Sequence, residues 1–310
     1  YLMLIYDHNR RRNGLILDQA REATTALNGQ DSRPIFMKGC LTLLDKGSDI
    51  GSSMMTDIDL IVREDEFAEA VSALRSLGYQ LLGEIPAHAH ARTFHRPMTL
   101  VTIDLHCHVG PQLKLLPTTA ASQAAIAIAS DLGAIEGLCM THRVLLMIMT
   151  FGIFERHYLS GHIPLNNFHK LATLCRHGGD KVDWRYIADT VAAHGFAAEC
   201  SAWGYMAHRL LEVPVPAYLL RAGNPRQHLR RCLQQLSFPA LDRIVRSRAA
   251  LTWPFNRFRM DYRYNCGTGG TALLTTRIRH LTGILMRRGY SLSRRHSPEF
   301  RQTCQMSDSR

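Results

Sequence analysis

The stretch that decides the fold is DIDLIV, residues 57–62, in which carboxylates alternate with aliphatic side chains. Because successive side chains of a β-strand point to opposite faces, Ile58, Leu60 and Val62 face one way, and Asp57 and Asp59 face the other. Two neighbouring carboxylates repel each other, and their proximity becomes favourable when a hard divalent cation bridges them. The stretch therefore predicts a strand that carries a pair of metal-binding aspartates.

A second strand with the same alternation is predicted from residue 100 to residue 108. Asp104 and His106 share one face of it, and its aliphatic residues share the other. Three carboxylates on two adjacent strands suit a two-metal nucleotidyl-transfer site, in which one ion holds the triphosphate and the other lowers the pKa of the attacking hydroxyl. We therefore assign Asp57, Asp59 and Asp104 as catalytic and metal-binding residues and place His106 on the acceptor side.

A candidate nucleotide-binding segment precedes the first of these strands. Residues 35–38 form a short extended run that ends at Gly39, and a helix is predicted from Cys40 onward. Gly39 lets the backbone approach phosphates closely, because it carries no Cβ. Lys38 and Lys46 are the cationic side chains that this segment offers to those phosphates.

The remaining elements alternate between helix and strand at first and are then helical. Helical spacing of apolar residues predicts helices at 14–28 and 64–77, a strand follows at 79–82, and residues 88–95 are interpreted as a loop. Further helices are predicted at 119–129, 138–154, 168–175, 183–194 and 197–211, and in the tail near 226–237 and 271–288.

This order predicts an α+β fold, with a small mixed-sheet domain followed by an α-helical domain. A length of 310 residues is enough for more than one domain. We expect residues 1–115 to form the catalytic domain and residues 116–220 the helical domain. Residues 221–310 form an arginine-rich tail that is predicted to be helical and partly disordered.

The positive charge of the chain belongs to that tail. Residues 221–310 hold 18 arginines, no lysine and four acidic residues, a net charge of +14, whereas the whole chain carries +11 and the first 220 residues therefore −3. Three roles stay open for the tail: a grip on nucleic acid, contact with a membrane surface or an acidic partner, and a merely solvated surface. The solvated surface is slightly favoured.

Several classes of protein are disfavoured by the sequence. No apolar stretch reaches the roughly 18 residues of a membrane span. The apolar residues 1–6 are too few for a secretory signal, and the arginines follow them at 10–12. The eight cysteines are scattered, which indicates reduced thiols and a cytoplasmic protein. A zinc site is not predicted, because no regular ligand spacing joins His88, His90, His95, His106 and His108.

Six ordered motifs resemble one known family. They are FMKGCLTLL (36–44), DIDLIV (57–62), AVSALRSLGYQ (70–80), VTIDLHCHVG (101–110), VDWRYIADTVAAHGF (182–196) and LLEVPVP (210–216). Over about residues 30 to 220 the chain resembles the uncharacterised nucleotidyltransferase family of the polymerase-beta-like superfamily. The resemblance implies transfer of a nucleoside monophosphate from NTP with Mg²⁺ or Mn²⁺, with Asp57 and Asp59 as metal ligands. Asp104 would complete the metal site and orient or activate the acceptor.

One position departs from the pattern of that family. Ser53 stands where the family usually has an arginine, four residues before the first aspartate of the pair. If that arginine grips phosphate in the family, Lys38, Lys46 or Arg63 has to substitute for it in this chain. Ser53 is therefore counted with Lys38 and Gly39 among the nucleotide-binding candidates.

The predicted function is a metal-dependent nucleotidyltransferase that uses NTP and a hydroxyl-bearing acceptor. The acceptor is a small molecule, a peptide or a protein. Two alternatives stay open. One is a toxin-like enzyme that adds nucleotides to tRNA and holds it with the tail, and the other is a catalytically silent nucleotide-binding protein.

Overall fold

A computed structural model describes residues 1–45, 48–52, 54–82, 91–107, 116–154, 157–252, 274–279 and 281. The chain divides into two compact units, Tyr1–Arg243 and Ile244–Arg310. All the strands of the described residues lie in the first unit. The helix Pro239–Thr252 spans the division between the two units, and residues 274–279 of the second unit are helical. The division into three parts made from the sequence stays a prediction.

Seven short strands form one mixed sheet in the described part of the first unit. They are β1 (Ile35–Phe36), β2 (Asp57–Ile61), β3 (Gln80–Leu81), β4 (Ala91–His95), β5 (Thr102–His106), β6 (Ile126–Ile128) and β7 (Ile135–Gly137). Their spatial order is β3-β4-β5-β2-β1-β7-β6. β2 lies parallel to β5 on one side and antiparallel to β1 on the other. The two aspartate-bearing strands are therefore direct neighbours.

Helices lie before and between the strands in the sequence, and the regular elements after β7 are all helical in the described part of the chain. They are α1 (Leu2–Asn28), α2 (Lys38–Leu44), α3 (Phe67–Ser76), α4 (Thr118–Gln123), α5 (Met140–Met147), α6 (His157–Ser160), α7 (Leu165–Gly178), α8 (Trp184–Ala193), α9 (Ala197–Leu211), α10 (Pro225–Ser237) and α11 (Pro239–Thr252). A π-helical segment, Ile148–Phe154, follows α5 directly. The predicted α+β fold, a mixed sheet followed by helices, is confirmed.

Local chemistry explains where several of these elements begin and end. α8 begins after Asp183, whose Oδ1 accepts a hydrogen bond from the backbone N–H of Tyr186 at 2.9 Å, an N-cap that the sequence predicted. α3 presents Ala70, Val71 and Leu74 to the core, as its apolar spacing indicated. The helix predicted at 197–211 matches α9 in full.

Two predicted elements were wrong in part. The helix predicted at 119–129 ends at Gln123, and its second half forms strand β6 instead. The loop predicted at 88–95 contains strand β4 over its described residues. In both cases pairing with a distant strand overrides local preference, because β4 pairs with β5 and β6 pairs with β7, a strand that the sequence did not reveal.

In the first unit α6 and α10 touch through Tyr158 of α6 and through His228 and Arg231 of α10, a contact called the α6–α10 contact below. The rings of Tyr158 and His228 stack with centroids 4.5 Å apart. Arg231 Nη2 donates to the carbonyl oxygen of Tyr158 at 2.7 Å. α10 is thus packed into the first unit although its sequence belongs to the arginine-rich tail.

The described cysteines are free thiols, and no described helix combines the length and the apolar character that crossing a bilayer requires.

Candidate metal centre

The centre is built by the parallel pairing of β2 and β5. In its register Asp59 lies opposite Asp104, although 45 positions separate them in the sequence. His106 follows two positions after Asp104, so it shares the face of that carboxylate. One ligand atom from each of Asp59, Asp104 and His106 can be chosen so that all three lie within 4.8 Å of one another. The strands thus bring together two carboxylates and an imidazole, and their pairing register sets which of these side chains meet.

Asp59 is the most deeply buried member, with 2% of its side chain exposed. Its Oδ1 accepts a hydrogen bond from Lys38 Nζ at 2.5 Å, and His106 Nε2 lies 3.2 Å from the same oxygen. Burial alone would raise the pKa of Asp59. The hydrogen bond from His106 and the positive charge of Lys38 outweigh burial, and the pKa falls below its ordinary value. Asp59 is therefore held as a charged carboxylate inside the protein.

Asp57 lies at the edge of the cluster and is less buried. Its Oδ1 accepts a hydrogen bond from the hydroxyl of Thr56 at 3.0 Å. Burial raises the pKa of Asp57, and the negative charges of Asp59 and Asp104 raise it further. Asp57 is thus close enough to feel both carboxylates without belonging to the compact group of three. Its role as a metal ligand stays a prediction.

Asp104 supplies an unsatisfied acceptor. Its Oδ1 is buried and has no hydrogen-bond partner among the residues that the structure describes. A buried carboxyl oxygen without a hydrogen-bond donor is costly, and a hard cation would satisfy it. Asp59 and Asp104 offer carboxylate oxygens, the ligands that Mg²⁺ and Mn²⁺ prefer. The residues present therefore fit a divalent metal ion.

The turn into α2 explains the Lys38-Gly39 pair. Lys38 adopts a left-handed backbone conformation with a φ of 54°. A Cβ built on Gly39 would meet Met55 Sδ at 2.6 Å, so a larger residue would require the side chain of Met55 to move. Gly39 thus lets Met55 pack closely against the start of α2, and the approach of Gly39 to phosphate stays a prediction.

The first half of α1 holds the chain that leads into β2. The Arg12 guanidinium donates to the carbonyl oxygen of Met55. Asn13 Nδ2 donates to the carbonyl oxygen of Ile50 at 2.6 Å, and the Tyr6 hydroxyl donates to Asp49 Oδ1 at 2.9 Å. This supporting role is not predicted from the sequence, because no local pattern in residues 6–13 points to a segment some 40 positions later.

The other predicted residues fall into two groups. Arg63, a candidate to substitute for the family arginine, forms an ion pair with Glu66 at 2.9 Å. His95 lies on β4 outside the compact group. The remaining candidates lie outside the described residues: Lys46, Ser53, His88, His90 and His108.

Comparison with known proteins adds one match. The model of a family described as uncharacterised nucleotidyltransferase matches residues 1–212, which include every described strand and the helices through α9. None of the curated proteins matches the chain.

Proposed function

The chain belongs to the uncharacterised nucleotidyltransferase family, and on that premise we propose that it transfers a nucleoside monophosphate from NTP to a hydroxyl-bearing acceptor. The observation that carries the proposal is the buried group of Asp59, Asp104 and His106, with Asp57 beside it. Like charges are concentrated there at a cost to folding, and such a cost is typical of a site that holds a cation and a charged substrate.

In the proposed site Asp57, Asp59 and Asp104 hold Mg²⁺ or Mn²⁺. The bound cation would neutralise charge on the triphosphate and lower the pKa of the attacking hydroxyl. The protein contributes a rigid arrangement of oxygens, because β2 and β5 fix their aspartates through continuous backbone pairing. Such preorganised charges need no rearrangement when the reaction occurs.

The remaining residues divide between the two substrates. We assign Lys38, Gly39 and Ser53 to the nucleotide side, where the ammonium group of Lys38 can neutralise a phosphate oxygen. Asp104 orients the acceptor hydroxyl, and His106 lies on the acceptor side beside it. The cytoplasmic location expected from the cysteines is part of the same proposal.

The acceptor is proposed to be a small molecule, a peptide or a protein. tRNA is a second candidate, favoured by the exposed arginines Arg221, Arg226 and Arg230, which lie just before α10 and in its first half. If these arginines grip tRNA, its affinity should fall steeply with rising salt, because bound phosphates release counterions. Replacing Arg226 and Arg230 by Gln should flatten that dependence. Unchanged affinity and salt dependence would remove tRNA from the candidates.

The experiment that tests the function uses NTP labelled on either the α- or the γ-phosphate. Each nucleotide is incubated with the protein, Mg²⁺ and a cell extract, and the labelled product is identified. Nucleotidyl transfer should label the acceptor from the α-labelled donor and leave the γ-label in pyrophosphate. The Asp59→Asn variant should give no product, and Asp189→Asn, an exposed carboxylate on α8, is the matched control.

A γ-label on the acceptor would indicate phosphoryl transfer instead. Labelling that is equal for the parent and Asp59→Asn would show that the cluster is not the site. A protein that binds NTP and labels nothing would correspond to the silent nucleotide-binding alternative.

A further inference from the structure

Lys38 lies where a metal ligand site and a nucleotide site overlap. Its Nζ is 2.5 Å from Asp59 Oδ1, an oxygen that is also 3.2 Å from His106 Nε2. Lys38 is 39% exposed, whereas the carboxylate that it contacts is 2% exposed. The ammonium group therefore covers the buried oxygen from the solvent side, the side from which a cation and a triphosphate would arrive.

Asp59 Oδ1 cannot bind Lys38, His106 and a metal ion equally strongly at the same time. Mg²⁺ binds carboxylate oxygen at about 2.0–2.1 Å, closer than an ammonium group can approach. A divalent ion at that distance would repel the Lys38 ammonium, since both are positive and both are held by the same oxygen. Binding of the ion should therefore weaken the contact between Lys38 and Asp59.

We infer that Lys38 and the divalent cation compete for Asp59, and that the ion releases Lys38 to contact the triphosphate. The inference rests on the proposed function and adds an order of events to it. The metal ion binds first, and Lys38 then becomes available to contact the triphosphate. While Lys38 stays on Asp59, it keeps that buried carboxylate paired. Once displaced, it carries a full positive charge toward the incoming phosphates.

The local backbone allows this movement. Lys38 is the first residue of α2, so its four-carbon side chain can turn without disturbing the helix behind it. Its backbone is left-handed, with a φ of 54°, and the rotatable bonds of the side chain lie beyond that backbone. A methionine at position 38 would carry the same backbone strain and a side chain of similar length, so Lys38→Met removes the ammonium group alone.

Binding of Mn²⁺ to the chelator-treated protein, measured by electron paramagnetic resonance without nucleotide, tests the competition. Lys38→Met should bind Mn²⁺ about tenfold more tightly than the parent, because no ammonium has to leave. The same variant should bind Mn²⁺–NTP less tightly than the parent does. Lys170→Met, which removes an exposed lysine on α7, is the control and should change neither affinity.

The outcomes separate the inference from the function on which it rests. Equal or weaker Mn²⁺ binding by Lys38→Met, with clear binding by the parent, would overturn the competition and leave the metal site standing. Absence of Mn²⁺ binding in every variant would overturn both. Lys38→Gln, which keeps a hydrogen-bond donor without the charge, gives the same readout if the methionine variant folds poorly. Tighter Mn²⁺ binding by Lys38→Gln would support the competition.

Discussion

The metal centre and the α6–α10 contact both bury ionisable side chains, and they do so in opposite ways. At the centre Asp59 is almost fully buried, and its partners lower its pKa so that it stays charged. At the α6–α10 contact His228 is 7% exposed, and burial lowers its pKa to about 4, so it stays neutral. Keeping a charge in the interior requires dedicated partners, whereas discharging a group requires only burial. The cluster around Asp59 is thus organised to keep a charge, whereas the α6–α10 contact is organised to exclude one.

Hydrogen bonding at the α6–α10 contact fixes the neutral form. Arg231 Nη2 lies 3.2 Å from His228 Nδ1, and a guanidinium can only donate, so Nδ1 accepts. The proton of the neutral ring then sits on Nε2, which is 3.4 Å from Cys232 Sγ. A second proton would have to occupy Nδ1 and place two positive groups side by side. Burial and the positive charge of Arg231 therefore both oppose protonation of His228.

The largest effect is expected from a substitution in the candidate metal centre. Asp104→Asn removes the buried carboxylate charge and should lower the rate of transfer by roughly two to four orders of magnitude. Metal–NTP affinity should stay within about tenfold of the parent, because Asp57 and Asp59 remain. Single-turnover kinetics together with equilibrium nucleotide binding measure both quantities. Transfer at the parent rate would show that Asp104, although it lies opposite Asp59, is not needed for catalysis.

A smaller effect is expected from acid at the α6–α10 contact. His228 is protonated below about pH 6.5 in the unfolded chain and only near pH 4 in the folded one. The unfolded state thus binds more protons between these values, and stability should be lost as the pH falls through that window. Since one pKa unit corresponds to about 1.4 kcal/mol, the full loss from His228, reached below pH 4, is on the order of 3 kcal/mol.

Denaturant unfolding at a series of pH values measures this loss, with His228→Phe as the comparison. Phenylalanine keeps a flat ring against Tyr158 and cannot be protonated, and Arg231 retains its hydrogen bond to the carbonyl oxygen of Tyr158. The variant should lose less stability than the parent between pH 6.5 and pH 4. Parallel curves for the two proteins would mean that the acid sensitivity arises elsewhere.

The smallest expected effect concerns the cost of the charged cluster. Burial and neighbouring carboxylates raise the pKa of Asp57, so its charge opposes folding at neutral pH. Asp57→Asn should therefore raise the Tm of the metal-depleted protein by a few degrees, at most about 1 kcal/mol of stability. It should also reduce the gain in Tm that Mn²⁺ gives the parent. A lower Tm without metal would show that Asp57 stabilises the fold, as His228 does.

The sequence by itself determined the faces of the two site strands. Alternation in DIDLIV and in residues 102–106 put Asp57, Asp59 and Asp104 on one face of their strands and Ile58, Ile103 and Leu105 on the other. The structure buries these three aliphatic side chains fully. This division was readable because the side-chain period of a strand is a local property of two residues. The order of motifs likewise identified the family over most of the matched region.

The tertiary structure alone decided which atoms meet. Nothing local fixes the register that sets Asp59 opposite Asp104, brings Lys38 and His106 to one oxygen, or pairs β4 and β6 with distant strands. Nor could the sequence show that α10 packs its His228 against Tyr158 while sharing the charge of the tail. These contacts join residues tens of positions apart, and their free energy comes from burial and pairing that exist only once the sheet and the helices have assembled.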